Sequence, residues 1–347
     1  MDLIVLSGLG IGVVFGYALQ RGRFCMNSAT RDSVMLKDYT LLKAVGVALI
    51  VQMIGFALLE VSGLQATLPK PFFWGANLVG SFTFGVGMVL AGACASGITY
   101  RTGEGMVSAM VAAIGFTLGA FVTAAGGFMN PIAANLQTST VIQTAEGSNP
   151  TLANLLGVPY WMLALGIALA AIVVWVLLAK PFSLESTKAK AQEVKGLSHG
   201  WGWLTTGLVI GLIAIVAFPL SVAAQRPSPI GITDGWLGLM KAIFMGGAWS
   251  WAPLLIIGII LGSLAAAVVN KEFKFRTPSI GMLAQVMIGG LLMGFGAVCS
   301  SGCNIGHILS GLPQLAIGSI VATLAIVAGG WLTAYLIFNV LRKSPAV

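Results

Sequence analysis

The chain has 347 residues, of which 57% are hydrophobic and only 8% charged, against about a quarter charged in an ordinary soluble domain. That balance excludes a soluble globular fold and leaves an all-α polytopic membrane protein, because about 20 apolar residues span the hydrocarbon of a bilayer. The formal charge of +8 comes from scattered loop residues without interleaved aromatics, which argues against nucleic-acid binding and fits basic cytoplasmic loops that would also attract anions.

Apolar runs predict about nine spans, near 3–20, 40–62, 76–93, 106–127, 159–179, 203–223, 251–269, 279–298 and 315–341. The first begins at Leu3 with no basic region before it and reads as a retained span. Loop charge then sets the orientation. Arg21, Arg23, Arg31 and Lys37 fall in 21–39, and Lys180, Lys188, Lys190 and Lys195 in 180–202. Lys271, Lys274 and Arg276 fall in 270–278, and Arg342 and Lys343 at the C-terminus. By contrast, 128–158 has no Lys or Arg and 63–75 has only Lys70. The positive-inside rule places the first group in the cytoplasm, with the N-terminus outside and the C-terminus inside. Segment 128–158, with Asn130-Pro131 and Asn149-Pro150, reads as an outside loop with a short surface helix. Segment 183–200 reads as polar and flexible, and Trp236, Trp249 and Trp251 as interfacial anchors.

One stretch occurs twice, 209 positions apart. Gly85, Gly87, Val89, Cys94 and Gly97 align without a gap on Gly294, Gly296, Val298, Cys303 and Gly306. Each copy ends a long apolar run in a small-residue break that carries a cysteine. With the orientation above, the two copies are inverted, and the architecture reads as four spans, a linking span and four spans. Residues 1–127 form a first repeat, 128–202 the outside loop, linking span and cytoplasmic loop, and 203–347 a second, inverted repeat. Weaker echoes are Gly8 and Gly12 against Gly207 and Gly211, and Lys43-Ala44 against Lys241-Ala242. Broken, re-entrant helices at the midplane of an inverted repeat are where a transporter places its site.

The four cysteines, Cys25, Cys94, Cys299 and Cys303, all lie in or beside apolar segments. A secreted disulfide framework would place them in the loops of a small domain. Two His and no acidic neighbour make a zinc site a poor reading, so neither a metal nor a cofactor is expected. An isolated cysteine in a membrane helix is usually a small buried hydrophobe. Cys94 and Cys303 occupy matched positions, each followed three residues later by Gly, and are the first candidates. Cys25 closes Arg21-Gly22-Arg23-Phe24-Cys25, and the nearest second-half stretch is Gln225-Arg226-Pro227. Arg21 and Arg23 read first as positive-inside anchors. Cys299 aligns with Leu90 and reads as lining or packing. Asn304 and His307 lie just beyond Cys303 as hydrogen-bond donors, although a structural histidine reads equally well. Arg101, with Glu104 nearby, offers an ion pair or a gate at the cytoplasmic end of span four.

A buried thiol stays neutral, so its S–H can donate to an anion and hold a soft sulfur loosely enough to release it. Half-helix N-termini after the breaks would add positive dipole ends. A hard oxyanion would be expected to recruit Arg, Lys and backbone amides instead. The pattern therefore suits an anion with an exposed terminal sulfur, held at Cys303 outside, Cys94 in the middle and Cys25 inside.

Three ordered motifs carry a family resemblance. They are Arg21-Gly22-Arg23-Phe24-Cys25, Ala91-Gly92-Ala93-Cys94-Ala95-Ser96-Gly97 with Tyr100-Arg101-Thr102-Gly103-Glu104-Gly105, and Gly302-Cys303-Asn304-Ile305-Gly306. Together they resemble the YeeE/YedE membrane-protein family, the TsuA-like thiosulfate transporters, over nearly the whole chain. The resemblance implies uptake of thiosulfate across a bacterial inner (plasma) membrane for sulfur assimilation, with Cys25, Cys94 and Cys303 passing the ion inward. It also implies a small cytoplasmic TusA-like sulfur-carrier protein as partner, and it includes members linked to selenium handling.

The first reading is thus a thiosulfate-type importer whose ion moves from Cys303 to Cys94 to Cys25 through S–H···S contacts. The alternatives are a transporter of a selenium compound, or a membrane thiol oxidoreductase or sulfurtransferase using Cys299 and Cys303 as a pair one helical turn apart. No quinone or nucleotide signature accompanies that last reading.

Overall fold

The computed structural model describes residues 3–145, 147–178 and 200–341. The charged groups expected in 180–199 and at Arg342 and Lys343, and all but the last residue of the polar segment 183–200, lie outside them. The first helices are α1 (Leu3–Arg21), α2 (Met26–Met35), α3 (Thr40–Val61), α4 (Trp74–Leu90), α5 (Ala95–Gly103) and α6 (Val107–Thr123). Then come α7 (Asn130–Ser139), α8 (Leu152–Leu156) and α9 (Tyr160–Leu178). The remaining α-helices are α10 (Trp203–Ala223), α11 (Ile232–Phe244), α12 (Trp251–Val269), α13 (Ile280–Cys299) and α14 (Ile317–Tyr335). Ile305–Gly311 and Leu336–Leu341 are wound as π-helix. Among the described residues one small sheet pairs β1 (Phe72–Phe73) antiparallel with β2 (Val141–Ile142).

Eight helical stretches are long and apolar enough to cross a membrane, which makes this a multi-pass membrane protein. The span expected over 106–127 forms α6, apolar and 17 residues long, at the short end of spanning length. The segment 128–158 holds two helices, α7 and α8, rather than one.

Helices pack in matched pairs. α1 lies along α12 and α10 along α3; α6 lies along α13 and α14 along α4; α4 and α13 also pack on each other. Apolar side chains gain little from leaving lipid for protein, so close backbone approach carries the association. A Cβ added at Gly12 would sit 2.9 Å from Gly258 Cα in α12. The echo of Gly8 and Gly12 in Gly207 and Gly211 is thus an echo of interfaces, since Gly207 and Gly211 face Ala44, Val47 and Val51 of α3.

Left-handed residues, which end helices, recur in the same order in both halves. Arg23 (φ 48°) precedes α2 as Gln225 (φ 61°) precedes α11, and Lys37 (φ 52°) follows α2 as Gly246 (φ 64°) follows α11. Gly63 (φ 71°) and Lys271 (φ 56°) end α3 and α12. Gly92 (φ 72°) and Ser301 (φ 62°) follow α4 and α13, 209 positions apart, and Gly105 (φ 86°) and Leu315 (φ 55°) come next, 210 apart. The one-residue change of register falls across Ile305–Gly311. A π turn absorbs one extra residue, and the bond from Leu312 N–H to the His307 carbonyl at 2.8 Å has that i→i+5 reach.

Several expectations need correction. Segment 21–39 is not a plain loop: it breaks at 22–25 and resumes as α2, which buries Cys25. The second-half counterpart of Cys25 is Gly231, not Gln225-Arg226-Pro227. Both residues are extended and precede a short helix, Cys25 at φ −143°, ψ 121° and Gly231 at φ −149°, ψ 122°. The longer, proline-containing loop before α11 hid that match. The Lys43-Ala44 echo fails, because Lys43 starts α3 whereas Lys241 ends α11. Trp236 and Trp251 are not interfacial anchors. Trp236 Nε1 donates to Thr99 Oγ1 at 2.9 Å, and the buried Trp251 donates to Ser7 Oγ at 3.1 Å; Trp249 is exposed.

Candidate functional site: a thiol pair between two charged cavities

Four helices break and restart: α1 to α2, α4 to α5, α10 to α11, and α13 to the π segment. Cysteines stand at three of the breaks. Cys25, Cys94 and Cys303 are all essentially inaccessible to solvent and belong to one buried cluster.

Cys25 and Cys94 meet. Their Sγ atoms lie 3.5 Å apart, and both thiols are free. The Met26 N–H donates to Cys94 Sγ at 3.3 Å, and Ser96 Oγ lies 3.3 Å from the same sulfur. Each cysteine is therefore extended backbone at the foot of a short helix, with the next N–H groups turned inward. The expected topology put Cys94 near the middle and Cys25 toward the inside; the structure places the two in contact.

Cys303 is in the same buried cluster but has a cavity of its own. It lines a cavity of about 300 Å³ with Lys70, Arg226, Gly231, Asp234 and Ser301. A second chamber of about 520 Å³ adjoins it, sharing Lys70, Arg226 and Asp234. Arg226 Nη2 pairs with Asp234 Oδ2 at 2.8 Å, and its guanidinium lies 5.8 Å from the Trp251 ring centre. The Lys70 ammonium donates to the Ser301 carbonyl at 2.8 Å, the left-handed residue of the break. Burial holds the lysine below its ordinary pKa; Asp234 partly offsets that, and Arg226 adds to it. The matched carbonyl at the other break, that of Gly92, accepts from Arg101 Nη1 at 3.2 Å. A cation thus satisfies an orphan helix-end carbonyl on each side.

Arg101 lines a separate cavity, of about 460 Å³, with Arg23, Glu104, Met106, Lys271, Glu272, Lys274 and Arg276. Arg101 does not pair with Glu104. It lies 5.7 Å from the Tyr100 ring centre and donates to the Tyr100 hydroxyl at 3.3 Å, and among the described residues no carboxylate pairs with it. Glu104 instead accepts from Arg23 at 2.7 Å and from Gln20 at 3.1 Å. Glu272 accepts from Arg23 at 2.9 Å, from Gln20 at 2.6 Å and from Arg21 at 2.5 Å. Arg21 is buried in this network, so it is not a headgroup-facing anchor. The cluster ties the ends of α1, α5 and α12 together at this mouth.

The remaining candidates separate cleanly. α13 ends at Cys299, and Ser301 is left-handed, so no helical turn joins Cys299 to Cys303. Cys299 packs instead with Ala76 and Ala133, apart from the other three thiols. His307 has both ring nitrogens engaged, Nε2 with the Ser300 carbonyl at 3.0 Å and Nδ1 with Ser319 Oγ at 3.2 Å. It braces the break between α13 and α14. Asn304 Oδ1 accepts from the Ala95 N–H at 3.3 Å and so links the Cys303 break to the Cys94 break.

Sequence reasoning missed Lys70, Asp234, Glu272 and Gly231. Lys70 had a readable signal, as the single basic residue in 63–75 and 128–158. The pairing of Glu272 with residues 20–23 joins positions about 250 apart and had none.

A profile of the sulphur-transport family matches residues 21–332, which takes in all three cysteine breaks. The chain belongs to the sulphur-transport family. It is 40% identical over 343 residues to the thiosulfate transporter TsuA of Spirochaeta thermophila, covering 97% of this chain and 100% of that protein. It is 30% identical to the thiosulfate transporter TsuA of Escherichia coli K12, covering 97% of this chain and 96% of that one. A probable transporter of E. coli K12, YedE, is 33% identical over 36% of this chain. The sulphur-transport assignment spans the breaks as well as the apolar helices between them.

Proposed function

We propose that this chain imports thiosulfate across the inner membrane for sulfur assimilation. It transports rather than converts its substrate, as the names of its full-length relatives have it. The observation that carries the mechanism is the buried Cys25–Cys94 thiol pair at 3.5 Å, between one cavity lined by Cys303 and another lined by Arg23 and Arg101. The terminal sulfur is held at Cys303, passes to Cys94 and then to Cys25 through S–H···S contacts. Weak donors suit passage, because the ion must leave each station.

The five basic residues at the Arg23 cavity support its cytoplasmic placement. The Cys303 cavity then opens outside, with the N-terminus outside and the C-terminus in the cytoplasm. The matched helix pairs and left-handed residues support an inverted repeat of 1–127 and 203–347, with 128–202 between them. The basic rim of the inner cavity suits a TusA-like acceptor of the imported sulfur, and the apolar exposed faces suit lipid.

The test is uptake of thiosulfate labelled at the outer sulfur, in cells lacking other thiosulfate and sulfate importers. The unaltered protein takes up label, Cys94→Ala does not, and Cys299→Ala does. Normal uptake by Cys94→Ala sinks the relay. No uptake by the unaltered, folded protein sinks the substrate, with a selenium compound the next ion to try.

A further inference from the structure

Among the described residues, ten buried side-chain N and O atoms lack a hydrogen-bond partner. Five of the ten belong to residues at the helix breaks: Asn27 Nδ2 and Oδ1, Arg226 Nε, Thr233 Oγ1 and Asn304 Nδ2. Buried polar groups left unpaired are costly, so such groups beside the breaks point to an occupant. Three of these residues lie one or two positions past the residue at their break. Asn27 lies two residues past Cys25, Thr233 two past Gly231, which is its counterpart, and Asn304 one past Cys303. Asn27 and Asn304 are fully buried.

Asn304 is bonded to the Cys94 break through its amide, and Asn27 follows a residue whose backbone is bonded to Cys94. Asn304 Oδ1 accepts from the N–H of Ala95, the residue after it, at 3.3 Å. That donor fixes which end of the planar amide is oxygen, so Nδ2 is turned away with two hydrogens to give. The Met26 N–H, one residue before Asn27, donates to Cys94 Sγ at 3.3 Å. An unpaired NH₂ therefore belongs to a residue beside each of the two breaks that flank Cys94. Thiols recognise sulfur and offer little to oxygen. The ion of the proposed import has a sulfur end and an oxyanion end, and the second also needs donors once its water is left behind.

We propose that Asn304 and Asn27 are the oxyanion-binding residues of the conduit. Their amide hydrogens receive the oxygens of the permeating ion while the cysteines hold its sulfur, and Thr233 does the same in the Cys303 cavity, which it lines. The proposal rests on thiosulfate being the substrate, and it assigns selectivity to the amides rather than to the thiols.

The test is the concentration dependence of labelled thiosulfate uptake by Asn27→Leu and Asn304→Asp, with thermal melting of each purified variant. Leucine matches the amide in size, and aspartate keeps the acceptor for Ala95 N–H while removing the donor. The expected result is KM raised about ten- to a hundredfold, with the melting temperature of Asn27→Leu unchanged or higher. A merely structural asparagine would lower the melting temperature and leave KM alone. Unchanged KM in both variants, beside an inactive Cys94→Ala, overturns this proposal alone. No uptake by the unaltered protein overturns the substrate reading and this proposal together.

Discussion

Gly97 separates the thiol pair from its surroundings, and a single methyl group there tests the relay. A Cβ at that position would lie 2.9 Å from Cys25 Sγ, 3.0 Å from Ala93 Cβ and 3.5 Å from Cys94 Sγ. Ordinary carbon–sulfur contact needs roughly 3.5 Å or more, so Cys25 must retreat by about 0.6 Å. Ala93 limits the alternative of moving α5. Retreat of Cys25 lengthens a thiol contact that already stands at 3.5 Å. Overpacking of this kind costs about 1–3 kcal/mol. Placed on the step between Cys94 and Cys25, that is a fall in transport of about five- to 150-fold. The assay is initial-rate uptake by Gly97→Ala, normalised to protein in the membrane. Gly10→Ala is the control, because a Cβ at Gly10 meets nothing within 4 Å and should leave uptake and stability near the parent's. Parental uptake by Gly97→Ala at parental abundance would refute the idea that the ion passes between these two thiols.

Three further outcomes are expected. Cys299→Ala keeps parental uptake and loses about 1 kcal/mol of stability through a small cavity; loss of uptake, or a trapped Cys299 disulfide, would contradict its packing with Ala76 and Ala133. Lys70→Met raises the KM for uptake and flattens its salt dependence. Because burial holds Lys70 below its ordinary pKa, uptake by the parent protein falls on the alkaline side before the usual lysine range, and Lys70→Met lacks that limb. Burial raises the Glu272 pKa, but the Gln20 hydrogen bond and the Arg21 and Arg23 charges outweigh it and hold it low. Its contribution to stability is therefore present above the unfolded carboxylate pKa of about 4.3 and lost as pH falls through the lower folded value; Glu272→Gln melts earlier near neutral pH and shows a smaller acid-induced drop.

What the sequence made legible follows from what each signal measures. Apolar run length measures spanning, and it located the eight stretches of spanning length and the shorter α6, with ends shifted by a few residues. The repeat was visible where both copies share small residues, because Gly at close helix contacts admits few substitutes. It was invisible around Cys25. There the match is conformational, between Cys25 and Gly231, and a backbone angle leaves no fixed letter in the sequence. Charge misled in the same region. Arg21 obeys the positive-inside pattern whether it faces lipid headgroups or is buried against Glu272, and only the fold decides between them.

The vacant fourth place gives the arrangement its direction. Of the four breaks, only that before α11 has glycine where its counterpart has a thiol, and Gly231 borders the Cys303 cavity beside Arg226 and Asp234. A roomy charged cavity can hold an ion with part of its water, and on the proposed import reading Arg226 and Lys70 are the cations that would meet it there. Past Cys303 the described path is sealed: Cys25 and Cys94 have essentially no exposure and no lysine or arginine among their hydrogen-bond partners. In the proposed relay the thiols therefore stand where hydration would be given up, and the cations where it would be kept. Introducing a thiol with Gly231→Cys tests that division. The new side chain would crowd the Arg226 guanidinium, which a Cβ at Gly231 already meets. Uptake should fall through loss of the Arg226–Asp234 pair rather than rise through a fourth sulfur station. Faster uptake by Gly231→Cys would show that the thiols, and not the cations, limit capture at that mouth.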